Sequence, residues 1–191
     1  VVSVKLTDKF PTPDALQKWP ETSRQGIEYL VEPVDAMDVP QHLKGMRTLF
    51  TGFHHFKPEQ AKCILNDAFE KKVAIGIFDG SLKPPLGRLS FLILAPLLAP
   101  ITSFLSYLLM TPFIKPHTLS RFFWTYLVPI VPLVTCWDGA ISLLRMYSLQ
   151  ELKELTRSFE RDDYIWEVGQ VSIGTPLIGM NYLLGYPMAE S

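Results

Sequence analysis

"MRTLFTGFHHFKPEQAKCILNDAFEKKVAIGIFD", residues 46–79, carries the reading of the fold. An apolar run ends in a Thr-Gly step, two adjacent histidines follow, and Pro58 opens a new segment. In that segment Ala61, Ile64, Leu65, Ala68 and Phe69 recur at i, i+3, i+4, i+7 and i+8, which places one apolar stripe on a helix. Glu59 stands in its first turn and Lys71 and Lys72 at its end, as the helix dipole favours. "VAIGIFD" then forms a short bounded apolar run, the pattern of a strand covered on both faces. Strand, helix, strand is the central unit.

The flanks extend it. "VVSVKLTD", residues 1–8, alternates with Val2, Val4 and Leu6 on one face and ends on Asp8. Thr12 can cap a short helix with Pro13 at its first position and Asp14 in its first turn. "GIEYLVEPVD", residues 26–35, is a second β-like run ending on an acid, Asp35. On the far side, "SLQELKELTRSF", residues 148–159, opens on a capping box of Ser148 and Glu151 and lines up Leu149, Leu152, Leu155 and Phe159. "DYIWEVGQVSI" and "MNYLLGYP" follow as strands, and the link between them is too short for a helix, so they are expected to be antiparallel neighbours. Alternating strands and helices of this kind predict an open α/β sheet with a terminal antiparallel strand pair.

The bulk numbers narrow the function. At 191 residues the chain is long enough for one domain with a real core. A net charge of −1 provides no basic field for nucleic acid. Cys63 and Cys136 form no C-x-x-C pattern, which excludes a disulfide framework or a cysteine zinc site and suits a reducing, cytoplasmic setting. The chain opens on Val and reads at once as a strand, so it is read as a fragment with residues upstream.

Residues 81–147 interrupt the pattern. Residues 89–114 are 26 positions without a charge, and residues 122–137 add 16 more. The first run is long enough for a bilayer, which needs about 20 residues, and the second is short. Pro96, Pro100, Pro112, Pro129 and Pro132 predict broken helices, and the aromatics Phe122, Phe123, Trp124, Tyr126 and Trp137 suit an interface. Lys83 and Arg88 at one end and Lys115 and Arg121 at the tip leave no clear orientation by positive charge. If residues 148–187 complete the sheet begun before residue 80, the insert must leave and return on one side. A membrane-associated element and a buried helical lid are both open, and either walls a pocket with hydrocarbon. The substrate expected is accordingly a small apolar or lipid-like molecule.

The order of elements resembles the class I S-adenosylmethionine-dependent methyltransferases, entered at their second strand, over residues 1–80 and 148–187. The resemblance implies a Rossmann-like sheet lacking its first strand, with the apolar insert between its two parts. It implies S-adenosylmethionine as cofactor, with Asp8 on the ribose and Asp35, with Ala36, near the adenine. In "RTLFTGFHHFKPEQ" it places Thr51, Gly52 and Phe53 at the cofactor. The family's Gly-rich first loop is not among these residues, so this chain as it stands is expected to bind the cofactor poorly. The placements have a physical basis, because ligands of an open α/β sheet bind beyond the carboxyl ends of the strands.

His54 and His55 are adjacent, and in an extended segment they would point to opposite sides. Two ligands on one metal need to converge, so no metal site is expected here. Either histidine can act as general base or line the pocket without chemistry. In "WDGAISLLRMY", residues 137–147, Asp138 and Arg145 lie two helical turns apart, and with Tyr147 they are candidates to hold a polar part of the substrate. Two other readings stay open: a small integral membrane protein, and a nicotinamide-binding reductase or epimerase domain, which shares the acid after a strand. The residues do not specify an oligomeric state.

Overall fold

The computed structural model describes residues 2–12, 26–82, 101–159, 161–172 and 178–188. It is a mixed α/β structure with open sheets. Strands β1 (Val4–Leu6) and β2 (Ile27–Tyr29) form a two-stranded parallel sheet. β3 (Arg47–Phe50), β4 (Ile75–Leu82), β5 (Tyr164–Ser172) and β6 (Ile178–Pro187) form a four-stranded sheet of order β3-β4-β6-β5. β3 and β4 run parallel, while β6 returns antiparallel to both β4 and β5. The expected antiparallel pair is therefore present, and its second member is inserted between β4 and β5.

Helix α1 (Pro58–Glu70) makes the β3–β4 connection. The five apolar positions of its stripe are the five it buries. Its start is fixed by Pro58 in the first turn and by the Gln60 side-chain oxygen accepting the Lys57 N–H at 3.1 Å. α5 (Leu149–Thr156) follows the insert, and Ser148 and Glu151 close the predicted capping box. Leu152 and Leu155 of α5 pack with Ile64, Leu65 and Ala68 of α1 over Ile75, Ile77 and Leu183 of the sheet. Full burial of each such side chain stabilises the fold by about 1.5–3 kcal/mol.

Strand register explains which sheet face this is. Ile75 pairs with Gly185 and Gly185 with Trp166; Ile77 pairs with Leu183 and Leu183 with Val168. Directly paired residues share a face, so these rows floor the core. Gly185 is required here because a Cβ would run into the Trp166 ring lying across it. On the opposite face β4 is also largely covered, as its apolar run predicts: Gly76 is buried and Phe78 is half-buried, stacked on exposed Phe50 of β3 with ring centroids 5.0 Å apart. At the start of the chain Val2, before β1, and Val4, in it, are exposed although they share a face in the sequence pattern. The helix expected from Thr12 onward falls on residues 13–25, outside the described set.

The loop after β2 is tied to α1 by charge. Asp67 of α1 accepts from Arg47 Nη1 at 2.7 Å and from the Val39 N–H at 3.2 Å, and Lys71 bridges Asp67 to Asp38. Burial disfavours the Asp67 carboxylate, but hydrogen bonds from Lys71, Arg47 and Val39 outweigh it and hold the group below its ordinary range. This cluster stands at the amino end of β3, leaving the carboxyl end free for other work.

Within the insert, the described residues form α2 (Ile101–Phe113), α3 (Leu119–Leu127) and α4 (Ile130–Arg145). The last turn of α3 is a π-helix, and α3 meets α4 at 73° across a break at Val128 and Pro129. No single described helix is long and apolar enough to cross a membrane.

Candidate functional site

β3 ends in a sharp change of direction. The Thr51 N–H donates to the Phe78 carbonyl at 2.8 Å, and Thr51 itself sits at φ +50°. The left-handed step therefore falls on Thr51, whereas Gly52 has φ −140° and a Cβ there would meet only ordinary contacts. Residues Phe53–His55 then form one 3-10 turn. This corrects the expectation that the two histidines extend to opposite sides: the turn brings their rings together, centroids 4.2 Å apart. His55 is exposed and His54 is buried.

His54 is held by one carboxylate. Its ring Nδ1 lies 2.9 Å from Asp79 Oδ1 and 3.0 Å from Oδ2, and its backbone N–H donates to Asp79 Oδ2 at 2.8 Å. Asp79 is 8% exposed and comes from the carboxyl-terminal half of β4. Toward a carboxylate Nδ1 must donate, and that tautomer of an uncharged ring leaves Nε2 as the acceptor nitrogen. The pairing thus sets the histidine tautomer as well as its position.

Asp79 continues the core face of β4 beyond Ile75 and Ile77, and its row across the sheet is polar. Asp79 pairs in register with Asn181 of β6, and Asn181 with Gln170 of β5. The Gln170 amide donates to Asn181 Oδ1 at 2.8 Å, and the Asn181 amide donates to the Tyr147 carbonyl at 3.0 Å. Tyr147 closes over the turn: its hydroxyl donates to the Phe56 carbonyl at 2.7 Å and its ring lies 5.4 Å from that of Phe53. Burial, and then the charges of Glu151 and Glu59, raise the Tyr147 hydroxyl above its ordinary pKa. Helix α4 packs on the Phe53–His55 turn, so the insert borders this corner directly.

The other expected residues separate into groups. Asp8 and Asp35 are brought to one neighbourhood, since Val34 N–H donates to the Asp8 carbonyl and Lys9, next to Asp8, pairs with Asp35 at 2.7 Å. Asp8 is exposed and caps its own loop, with Oδ1 accepting the Phe10 N–H at 2.8 Å. Asp35 is held below its ordinary pKa first by the Lys9 hydrogen bond and then by the Met37 N–H. Ala36 is half-buried against the core, and Phe53 is a core side chain at 1% exposure, leaving its backbone for any ligand. Asp138 and Arg145 are both exposed on α4 and are not paired with each other.

Asp79, Asn181 and Gln170 were not among the residues singled out from the sequence. The available signal was an acid closing an otherwise apolar strand, at the end of "VAIGIFD". Among the described residues no group of three or more His, Cys, Asp or Glu could hold a metal. A cavity of about 660 Å³ lies between α5 and β5, lined by Gln150, Arg157 and Trp166 among others, and includes none of these site residues. No protein-family model matches the chain, and none of the curated proteins matches it.

Proposed function

We propose that this chain is the greater part of a class I methyltransferase-like domain, transferring a methyl group to a small apolar or lipid-like acceptor with the His54–Asp79 pair as its base. The observation that carries the reading is the placement of that pair where the parallel pairing of β3 and β4 ends, His54 just after β3 and Asp79 in the carboxyl-terminal half of β4, in a sheet closed by an antiparallel β6. Carboxyl ends of parallel strands are where open α/β sheets receive ligands. The finer description, a Rossmann-like sheet lacking its first strand, belongs to the same proposal. It accords with the position of β1 and β2 in a sheet of their own, apart from β3.

The residues present fit S-adenosylmethionine in part. Asp8 is exposed and Oδ2 accepts nothing from the described residues, so it can receive a ribose hydroxyl. Asp35 already accepts from Lys9 and Met37, which makes it better suited to shape the loop around Ala36 than to grip a ligand. When bound, the cofactor supplies an electrophilic methyl group. His54 Nε2 takes the proton leaving the acceptor hydroxyl or amine, and the Asp79 carboxylate stabilises the imidazolium that results. Tyr147, Phe53 and α4 keep bulk water from that corner and offer an apolar wall.

Calorimetric titration of S-adenosylmethionine into the full-length protein tests this, with Asp8→Ala as control. Micromolar binding lost on substitution supports the reading. Absence of binding in a folded protein overturns it, and NADH is then the ligand to titrate, because an acid after a strand also serves nicotinamide-binding domains.

A further inference from the structure

The three helices of the insert are packed inside out. On α2, Ile101, Leu105, Leu109 and Phe113 recur every fourth residue and all are at least half exposed. On α3 the stripe is Leu119, Phe123 and Leu127, with Leu119 90% exposed. On α4 it is Ile130, Leu133, Val134, Trp137 and Leu144, with Trp137 71% exposed. In water a helix turns such a stripe toward the core. Here the buried positions are instead Thr111, Thr125, Pro132 and Cys136, and Ser103 of α2 approaches Gly139 of α4. Small or weakly polar residues inside and large apolar residues outside is how helices pack in lipid, where hydrocarbon replaces the core as the apolar solvent.

Length and topology decide how deep the unit goes. α4 has 16 residues, about 24 Å at 1.5 Å per residue, short of a hydrocarbon core of about 30 Å. α3 and α4 together have the length and composition of a span, and the 73° bend between them gives the pair the shape of a re-entrant unit. The return end of the insert, Tyr147, is fixed beside Asn181, the register partner of Asp79 in β4, and the insert follows Leu82 at the end of the same strand. Both ends of the insert thus join the same sheet, and its return end stands next to His54 and Asp79.

Charge names the kind of surface. Residues 101–147 carry Lys115, Arg121 and Arg145 against a single acid, Asp138, although the whole chain has net charge −1. Arg121 also donates to the carbonyls of Ile114 and Pro116, satisfying backbone acceptors at the α2–α3 turn that lipid would leave unpaired. We infer that α2, α3 and α4 seat this protein in one leaflet of an anionic bilayer as a re-entrant unit that does not cross it, with the His54–Asp79 corner beside the membrane surface. The inference does not need the methyl-transfer chemistry, and its test contains no cofactor, so either can fail alone.

The experiment is co-flotation of the full-length protein with vesicles of phosphatidylcholine alone or mixed with phosphatidylglycerol. The expected result is flotation that is stronger on the anionic vesicles and reduced about tenfold or more by Leu109→Glu with Leu133→Glu. Both positions are exposed, so the thermal melt should not move. Tryptophan emission should be quenched more by bromine near the headgroups than by bromine at the bilayer centre, with Trp137→Phe assigning the signal. No flotation on either vesicle, equal flotation on both, or stronger quenching at the centre overturns the inference. So does a lipid-free dimer abolished by the two glutamates, which makes a second copy of the chain the occupant.

Discussion

At the scale of single residues, Asp79 is fixed from both its strand and its partner. It is buried on a strand and receives two hydrogen bonds from one residue, His54, through ring and backbone. Replacing it with Ala leaves two buried donors unpaired, which costs about 1–3 kcal/mol for each group left unsatisfied. Asp79→Asn separates structure from chemistry. The amide oxygen can still accept from the backbone N–H, but the ring loses the charge that fixes Nδ1–H and supports an imidazolium. We predict that Asp79→Asn shifts the melting temperature only modestly and, under the proposed function, lowers methyl transfer about 10²–10⁴-fold. Parallel thermal melts and rate measurements on both variants check this; equal loss of stability and rate in Asp79→Asn would assign the pair a purely structural role.

Among the elements, α5 shows how a short helix is maintained. Eight residues make a marginal helix alone, and α5 relies on its cap and on Leu152 and Leu155 packed against α1. Ser148 accepts the Glu151 N–H, and the Glu151 carboxylate accepts the Ser148 N–H at 2.8 Å. Ser148→Ala is expected to destabilise the protein by about 1 kcal/mol, read as a lower denaturant midpoint at unchanged slope. Because Tyr147 precedes the cap and closes the His54 corner, the same substitution should loosen that corner. Faster amide exchange at Phe53–His55 than in the wild type would show the coupling.

For the whole molecule, the Arg47–Asp67–Lys71–Asp38 cluster joins the loop after β2 to the four-stranded unit. Asp67 is held below its ordinary pKa by these partners, so the folded state binds its proton more weakly than the unfolded chain. Its contribution is therefore fully present above the unfolded value near 3.8 and is lost as pH falls through the folded one. We predict an acid unfolding limb beginning below that value, to which Asp67 contributes. Asp67→Asn should cost about 3 kcal/mol at neutral pH, because it leaves Arg47 and Lys71 poorly compensated, and should flatten the acid limb. Urea melts at neutral and acidic pH measure both effects; an unchanged acid limb would remove Asp67 from the account.

Local patterns made much of the architecture legible before any tertiary contact was known. The α1 stripe, the Ser148–Glu151 cap, the strand–helix–strand unit and the apolar insert all follow from residue period, cap chemistry and chain length. These terms act within a turn or two of the chain. The resemblance likewise pointed to "TGFHH" as a site because it ends a strand. What tertiary structure decided depends on register and order. Asp79 meets His54 across 25 residues and Tyr147 meets Phe56 across 91, and no local period encodes either contact. The polar row of Asp79, Asn181 and Gln170 exists only because β6 inserts between β4 and β5 in that register. The outward stripes of α2, α3 and α4 follow the same logic: a period locates an apolar face, but only the packing of neighbouring elements determines whether that face turns to a core or away from it.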